Sequence, residues 1–151
     1  MAVISNTIHL TPQFLPVIKR ACERAELRLK VVGTAGDPVK DTRKFINEAD
    51  LVVGIGRCAL EGMAMGRNTL LLDYQGMEGL IDSEEAYHRF KVRNFSGRVS
   101  RNMSVSVEDI LIEFSKYSIT NGEDCKDYIR RFHSTESVLP GIIDFYNSVI
   151  L

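Results

Sequence analysis

Short, nearly unbroken apolar runs alternate along this chain with stretches whose apolar residues recur every three or four positions. Val3-Ile4 opens as a strand. Thr11-Pro12 pairs an N-cap residue with the proline favoured at the first helical position. Phe14, Leu15, Ile18, Ala21, Cys22 and Ala25 follow at helical spacing. Pro16 lies in that first turn, so the helix either starts there or kinks there. Leu27, Leu29, Val31 and Val32 read as a second strand, ended by Gly33. Thr34-Ala35-Gly36 is a loop, and Asp37-Pro38 repeats the cap-plus-proline signal for a helix carrying Val39, Phe45, Ile46 and Ala49. Leu51-Val52-Val53 and Thr69-Leu70-Leu71-Leu72 have the continuous apolar pattern of strands buried on both faces. Between them, 57–65 reads as a short helix closed by Gly66.

The elements therefore run β-α-β-α-β-α-β with short links, which predicts an α/β fold with an open parallel sheet and helices on both faces. Beyond Tyr74 the pattern changes. Residues 75–79 form a glycine-bearing loop, 81–93 are helical in composition, and 94–103 are loop-like. Ser106 and Asp109 have the spacing of a capping box, before a helix with Val107, Ile110, Leu111 and Phe114 on its apolar face. Two more helices are expected, one around Tyr128, Ile129 and Phe132, one after Pro140 with Ile142, Ile143, Phe145, Tyr146 and Val149. The 151 residues fit a single domain, with the helices from about 106 onward packing on the sheet.

Composition narrows the partners. A net charge of −1 removes the electrostatic case for nucleic acid. No apolar run approaches a transmembrane length, and no signal peptide is visible. Three widely spaced cysteines and three scattered histidines argue against a disulfide framework or a metal site, so no metal and no cofactor are expected. A cytoplasmic location follows, with membrane association only through a partner.

Candidate chemistry gathers in the glycine-bearing loops after the strands, because open α/β sheets bind ligands beyond the carboxyl ends of their strands. The loop starting at Gly33, the Gly54-Ile55-Gly56 turn and the loop after Asp73 all qualify. The middle one leads from a buried strand into a helix, whose first amides lack intrahelical partners and favour an anion. Arg57 adds a guanidinium suited to phosphate. Glu61, one turn on, can accept two hydrogen bonds from a ribose diol. Cys58 lines the same turn and is read as a packing residue, not a nucleophile, since no histidine pairs with it. Structural readings stand beside these. Gly54 and Gly56 could serve only close strand–helix packing, and Glu61 could be a solvated helix residue, although its neighbours Ala59, Leu60, Met63, Ala64 and Met65 are apolar.

The segment from Ala49 to Gly66 resembles the C-terminal domain of GT-B-fold glycosyltransferases, most nearly the large retaining family that uses nucleotide-diphosphate sugars. That pattern has a strand, a glycine, four residues, a glutamate, a small residue, then Met-Ala-x-Gly. Here Gly56, Glu61 and Met63-Ala64-Met65-Gly66 fall at those places. The resemblance implies a Rossmann-like domain that forms one half of a GT-B fold. It also implies a donor site of Gly33, Gly54, Gly56, Arg57, Cys58 and Glu61, completed by Gln75, Gly76, Met77 and Glu78 in a glycine-rich loop facing the donor sugar. The donor is a nucleotide-diphosphate sugar such as a UDP-sugar, its nucleobase left open. The hexosyl acceptor would be held by a missing N-terminal domain or a partner chain. No catalytic residue is assigned. The family often has an acidic residue eight positions before the glutamate, where this chain has Val53. Asn94-Phe95-Ser96-Gly97-Arg98 also resembles some members, without an assigned role.

Two other functions remain in view. A nucleotide-sugar-binding or scaffold module without catalysis fits the valine at 53. An NAD-dependent oxidoreductase fits Gly54-x-Gly56-x-x-Ala59 followed by Asp73 at the end of the next strand. A phosphate-loop NTPase lacks its Gly-Lys-Ser/Thr, and a receiver domain lacks its aspartates.

Overall fold

The computed structural model of the chain describes residues 2–4, 14–33, 39–74, 76–98 and 104–150. Five strands, β1 (Ala2–Ile4), β2 (Lys30–Val32), β3 (Leu51–Val53), β4 (Asn68–Asp73) and β5 (Gly76–Leu80), form one sheet in the order β2-β1-β3-β4-β5. The helices are α1 (Phe14–Arg24), α2 (Arg43–Asn47), α3 (Arg57–Ala64), α4 (Glu84–Lys91), α5 (Val107–Ser115), α6 (Ile119–His133) and α7 (Thr135–Ile150). Four strands are parallel, whereas β5 runs antiparallel to β4. The sheet is therefore mixed.

Both faces of β3 and β4 are buried, and the strand period sorts their side chains into separate cores. Leu51, Val53, Leu70 and Leu72 pack with Phe14, Ile18 and Cys22 of α1 and Ile110 of α5. On the other face Leu71 packs with Ala59 and Met63 of α3, Tyr87 and Phe90 of α4, and Cys125 and Tyr128 of α6. Val52 joins Val32, Ala49 and Ile46 of α2 on that same side. Each such aliphatic side chain contributes about 1.5–3 kcal/mol when fully buried. That gain explains why these short apolar runs become strands between helices.

Four details depart from the sequence reading. First, 76–79 is not a loop. Gly76–Leu80 pairs with the outer edge of β4, with Glu78 bulged out where the register shifts between Leu71 and Leu72. The pairing covers an edge that would otherwise stand open. It is fastened by the buried Glu113 of α5, whose Oε2 accepts the Leu80 N–H at 2.7 Å. Second, α2 starts at Arg43, not at the Asp37-Pro38 signal, which lies outside the described residues. Asp41 Oδ1 accepts the Arg43 N–H at 3.0 Å and so holds the preceding backbone out of the helix. Third, α7 starts at Thr135, before Pro140. Ser134 caps it, its Oγ accepting the Ser137 N–H at 3.2 Å, and the helix tolerates the bond that Pro140 cannot donate. Fourth, β2 is confined to Lys30–Val32, and Leu27 and Leu29 precede it.

Other expectations held in detail. The Ser106–Asp109 capping box is present on both sides. Pro16 sits inside the first turn of α1, where its missing N–H leaves no bond unmade; the Thr11-Pro12 signal lies outside the described residues. Among the described residues no helix is long and apolar enough to cross a membrane.

Candidate functional site

The strand order reverses between β1 and β3, so the carboxyl ends of β1, β2 and β3 flank a topological switch point. A cleft of 470 Å³ opens there, lined by Gly33 at the end of β2, residues 39–43, and Arg57, Cys58 and Glu61 of α3. Because α2 starts late, Val39, Lys40, Asp41 and Thr42 run along the cleft as irregular chain.

Gly56 makes this turn. Its φ of 55° and ψ of −124° belong to a region closed to side chains, and a Cβ built there meets nothing within 4 Å. Steric packing therefore does not require this glycine; the backbone bend does. The close approach of α3 to the sheet is made by Gly62, where a Cβ would lie 3.1 Å from Thr69 Oγ1 and 3.2 Å from Val52. Sequence reasoning missed Gly62, whose signal was its place one turn after Ala59 on the apolar face. Gly54 continues the ladder, its N–H donating to the Leu70 carbonyl at 3.1 Å.

Glu61 faces the cleft with its side chain 37% exposed. Oε2 accepts the Thr42 hydroxyl at 3.1 Å, and Oε1 lies 3.2 Å from Nε of Arg57, whose side chain is 89% exposed. Each carboxylate oxygen has a second lone pair, so the group retains capacity to accept a diol. Arg57 is mobile enough to turn toward an anion, since an exposed pair of this kind is worth only about 0–1 kcal/mol. Among the described residues, no backbone carbonyl takes the first-turn amides of Arg57, Cys58 and Ala59. The Cys58 thiol is pushed up by burial and then by the carboxylates of Glu61 and Asp73, so it stays protonated and unreactive at neutral pH. Across the cleft Arg43 clasps Asp41 at 2.7 Å and holds its carboxyl down at about 2.

The Gly56 amide, expected to face an anion, is already engaged. It donates to the Phe95 carbonyl at 2.7 Å. Phe95 and Asn94 both have left-handed backbone, at φ of 51° and 53°. For phenylalanine this is a strained state, costing about 1–3 kcal/mol. The fully buried Phe95 ring holds it, packed 5.4 Å from the Tyr87 ring. Sequence reasoning left this segment without a role.

The remaining expected residues are not gathered in the cleft. Gly76 stays at the carboxyl end of the sheet, opposite Asp73 in the β4–β5 ladder. Met77 is buried in the core beneath α1 and α5, which is incompatible with a loop facing a sugar, and Glu78 is the bulged residue of β5. Gln75 lies outside the described residues. Asp73 is itself buried, with Oδ1 accepting the Tyr74 N–H at 2.7 Å. Among the described residues no three His, Cys, Asp or Glu side chains stand together as a metal site. A second cleft, of 510 Å³, lies at the opposite end of β3 among Leu27, Leu51, Leu111 and Phe114; its walls are mainly apolar, and its one charged lining residue among the described residues is the carboxylate Asp50, which repels a phosphate.

Comparison with known proteins finds no matching family model, no matching curated protein and no matching solved structure.

Proposed function

We propose that this chain is the Rossmann-like, nucleotide-diphosphate-sugar-binding half of a GT-B-type glycosyltransferase, acting with an acceptor-binding domain or partner chain. The observation that carries the reading is the Glu61 carboxylate in a cleft at the switch point, one turn beyond a glycine-opened helix start that carries Arg57. In this reading the donor's phosphates lie against the amides of Arg57, Cys58 and Ala59 and against the Arg57 guanidinium. The ribose diol donates to Glu61, which Thr42 steadies from the other side. No metal enters the reading. The exposed apolar side of α7 supports the half-enzyme aspect: none of its residues is buried, and Phe145 and Tyr146 are 65% and 60% exposed.

A non-catalytic binding module is the second reading. It is favoured by Val53, which occupies the place of the family's acidic residue and is completely buried in the core under α1.

The test is a thermal-shift panel of UDP-, GDP-, ADP- and CMP-sugars, followed by calorimetric titration of the best binder to the wild type and to Glu61→Gln. Glutamine can still accept the Thr42 hydroxyl, so melting should be unchanged. Affinity should fall at least about tenfold, because hydrogen bonds to a charged acceptor are worth about 1.5–3 kcal/mol each. A donor that binds the wild type and Glu61→Gln equally well would sink the donor-site reading. Donor binding without turnover, even beside an acceptor-binding partner, would select the non-catalytic module.

A further inference from the structure

We propose that the 93–98 segment is a second wall of the anion site, with Arg93 and Arg98 as diphosphate-binding residues; this rests on the donor-site reading above. The segment encloses a cleft of 450 Å³ lined by Arg93, Asn94, Ser96 and Arg98. All four can donate hydrogen bonds to phosphate oxygens, and among the described residues no carboxylate lines the space.

Three observations carry this. First, the segment is fixed in place. Asn94 and Phe95 donate to the carbonyls of Lys91 and Phe90 at 2.8 and 3.0 Å, and Ser96 donates to that of Arg93 at 3.1 Å. Phe95 and Gly97 are buried while Arg93, Asn94 and Arg98 are exposed, so the anchored residues hold the polar ones outward. Second, the segment abuts the start of α3. The 2.7 Å bond from the Gly56 N–H to the Phe95 carbonyl joins the two turns, so Asn94 and Ser96, which line the cleft, flank the residue that holds the start of α3. That bond withdraws one amide from anion binding, and the arginines supply donors in its stead. Third, the two guanidiniums are unspent. Arg24, Arg43, Arg57, Arg130 and Arg131 are all paired with carboxylates. Among the described residues Arg93 and Arg98 have no such partner. Two unpaired guanidiniums around one cleft suit a ligand with non-bridging oxygens on two adjacent phosphorus atoms, since each can take two of them in a fork. The ligand class is a diphosphate, either free or within a nucleotide.

The experiment is calorimetric titration of the full chain with inorganic pyrophosphate, UDP, GDP and ADP at one ionic strength. The variants are Arg93→Ala, Arg98→Ala, their double, Glu61→Gln, and Arg130→Ala as a control of equal charge change. Both arginines are exposed, so melting temperatures should match the wild type. Each single change should weaken pyrophosphate and the preferred nucleoside diphosphate at least about tenfold. Arg130→Ala should change neither by more than about twofold. Nucleoside diphosphate binding that depends on Glu61 but not on Arg93 or Arg98 would overturn this inference and leave the donor reading standing. Pyrophosphate binding that depends on both arginines, with no nucleoside diphosphate preferred over it, would uphold the anion wall and count against the donor reading. Equal losses in the Arg130 control, or no binding of any of these ligands, would overturn the inference.

Discussion

His133 ends α6 with its ring packed against the aromatic cluster, 6.0 Å from the Phe95 ring and 6.1 Å from that of Tyr87. Its Nε2 is buried without a hydrogen-bond partner. Burial, and then the charge of Lys91, hold its pKa below the ordinary 6.5. The unfolded chain therefore takes up a proton before the folded one does. Stability should be intact above 6.5 and decline as pH falls from there toward the lower folded value. Melting curves of wild type and His133→Phe between pH 7.5 and 5 check this. The wild type should lose stability relative to the variant as the solution is acidified, and a difference independent of pH would refute the assignment. The residues of the candidate site differ in how far the chain itself advertises them. Gly56, Arg57 and Glu61 lie within six consecutive residues, so spacing alone joins them. Thr42 and Phe95 reach the same place from distant elements, through a hydroxyl on Glu61 and a carbonyl on Gly56. No periodicity in the sequence records such contacts.

Among the elements, those defined by their own side chains were legible and those defined by their neighbours were not. Leu51–Val53 and the core of Asn68–Asp73 are apolar at successive positions and become strands buried on both faces. Gly76–Leu80 carries two glycines and no β-branched residue, so its propensity says loop. It is a strand because β4 offers an open edge and Glu113 holds Leu80. Helix packing obeys the same distinction at Gly122, in the first turn of α6. A Cβ there would lie 2.3 Å from the Gly66 carbonyl oxygen, which is backbone and has no rotamer to change. Gly122→Ala should push α6 off the turn between α3 and β4, costing about 1–3 kcal/mol and lowering the melting temperature by roughly 2–10 °C. Gly141, in α7, is the matched contrast, since a Cβ there meets nothing within 4 Å. Gly141→Ala should leave the melting temperature unchanged or raise it, by up to about 1 kcal/mol of helix propensity. Thermal melts followed by circular dichroism compare the two, and equal destabilisation by both would discredit the packing of α6 described here.

At the scale of the whole molecule, the sheet presents its candidate site at one end, while α7 leaves Leu139, Ile142, Ile143, Tyr146 and Val149 uncovered at the surface. On the proposed half-enzyme reading, this stripe would be buried against the other half. The same division bears on catalysis. Among the described residues the polar side chains of the candidate cleft are Lys40, Asp41, Thr42, Arg43, Arg57 and Glu61, and the proposed reading assigns Arg57 and Glu61 to the donor and none of them to a second substrate. Holding two reactants in register supplies roughly 7–11 kcal/mol of a bimolecular barrier. On the proposed reading the chain holds only the donor and forgoes that share. The isolated chain should therefore bind its matched nucleotide sugar yet transfer no measurable sugar to an acceptor, while slow hydrolysis by water is allowed. Mass-spectrometric assay of product, with the donor at saturating concentration and a range of hydroxyl acceptors, checks this directly. Efficient transfer by the 151-residue chain alone would show that the acceptor site lies within it, and the half-enzyme reading would have to be abandoned.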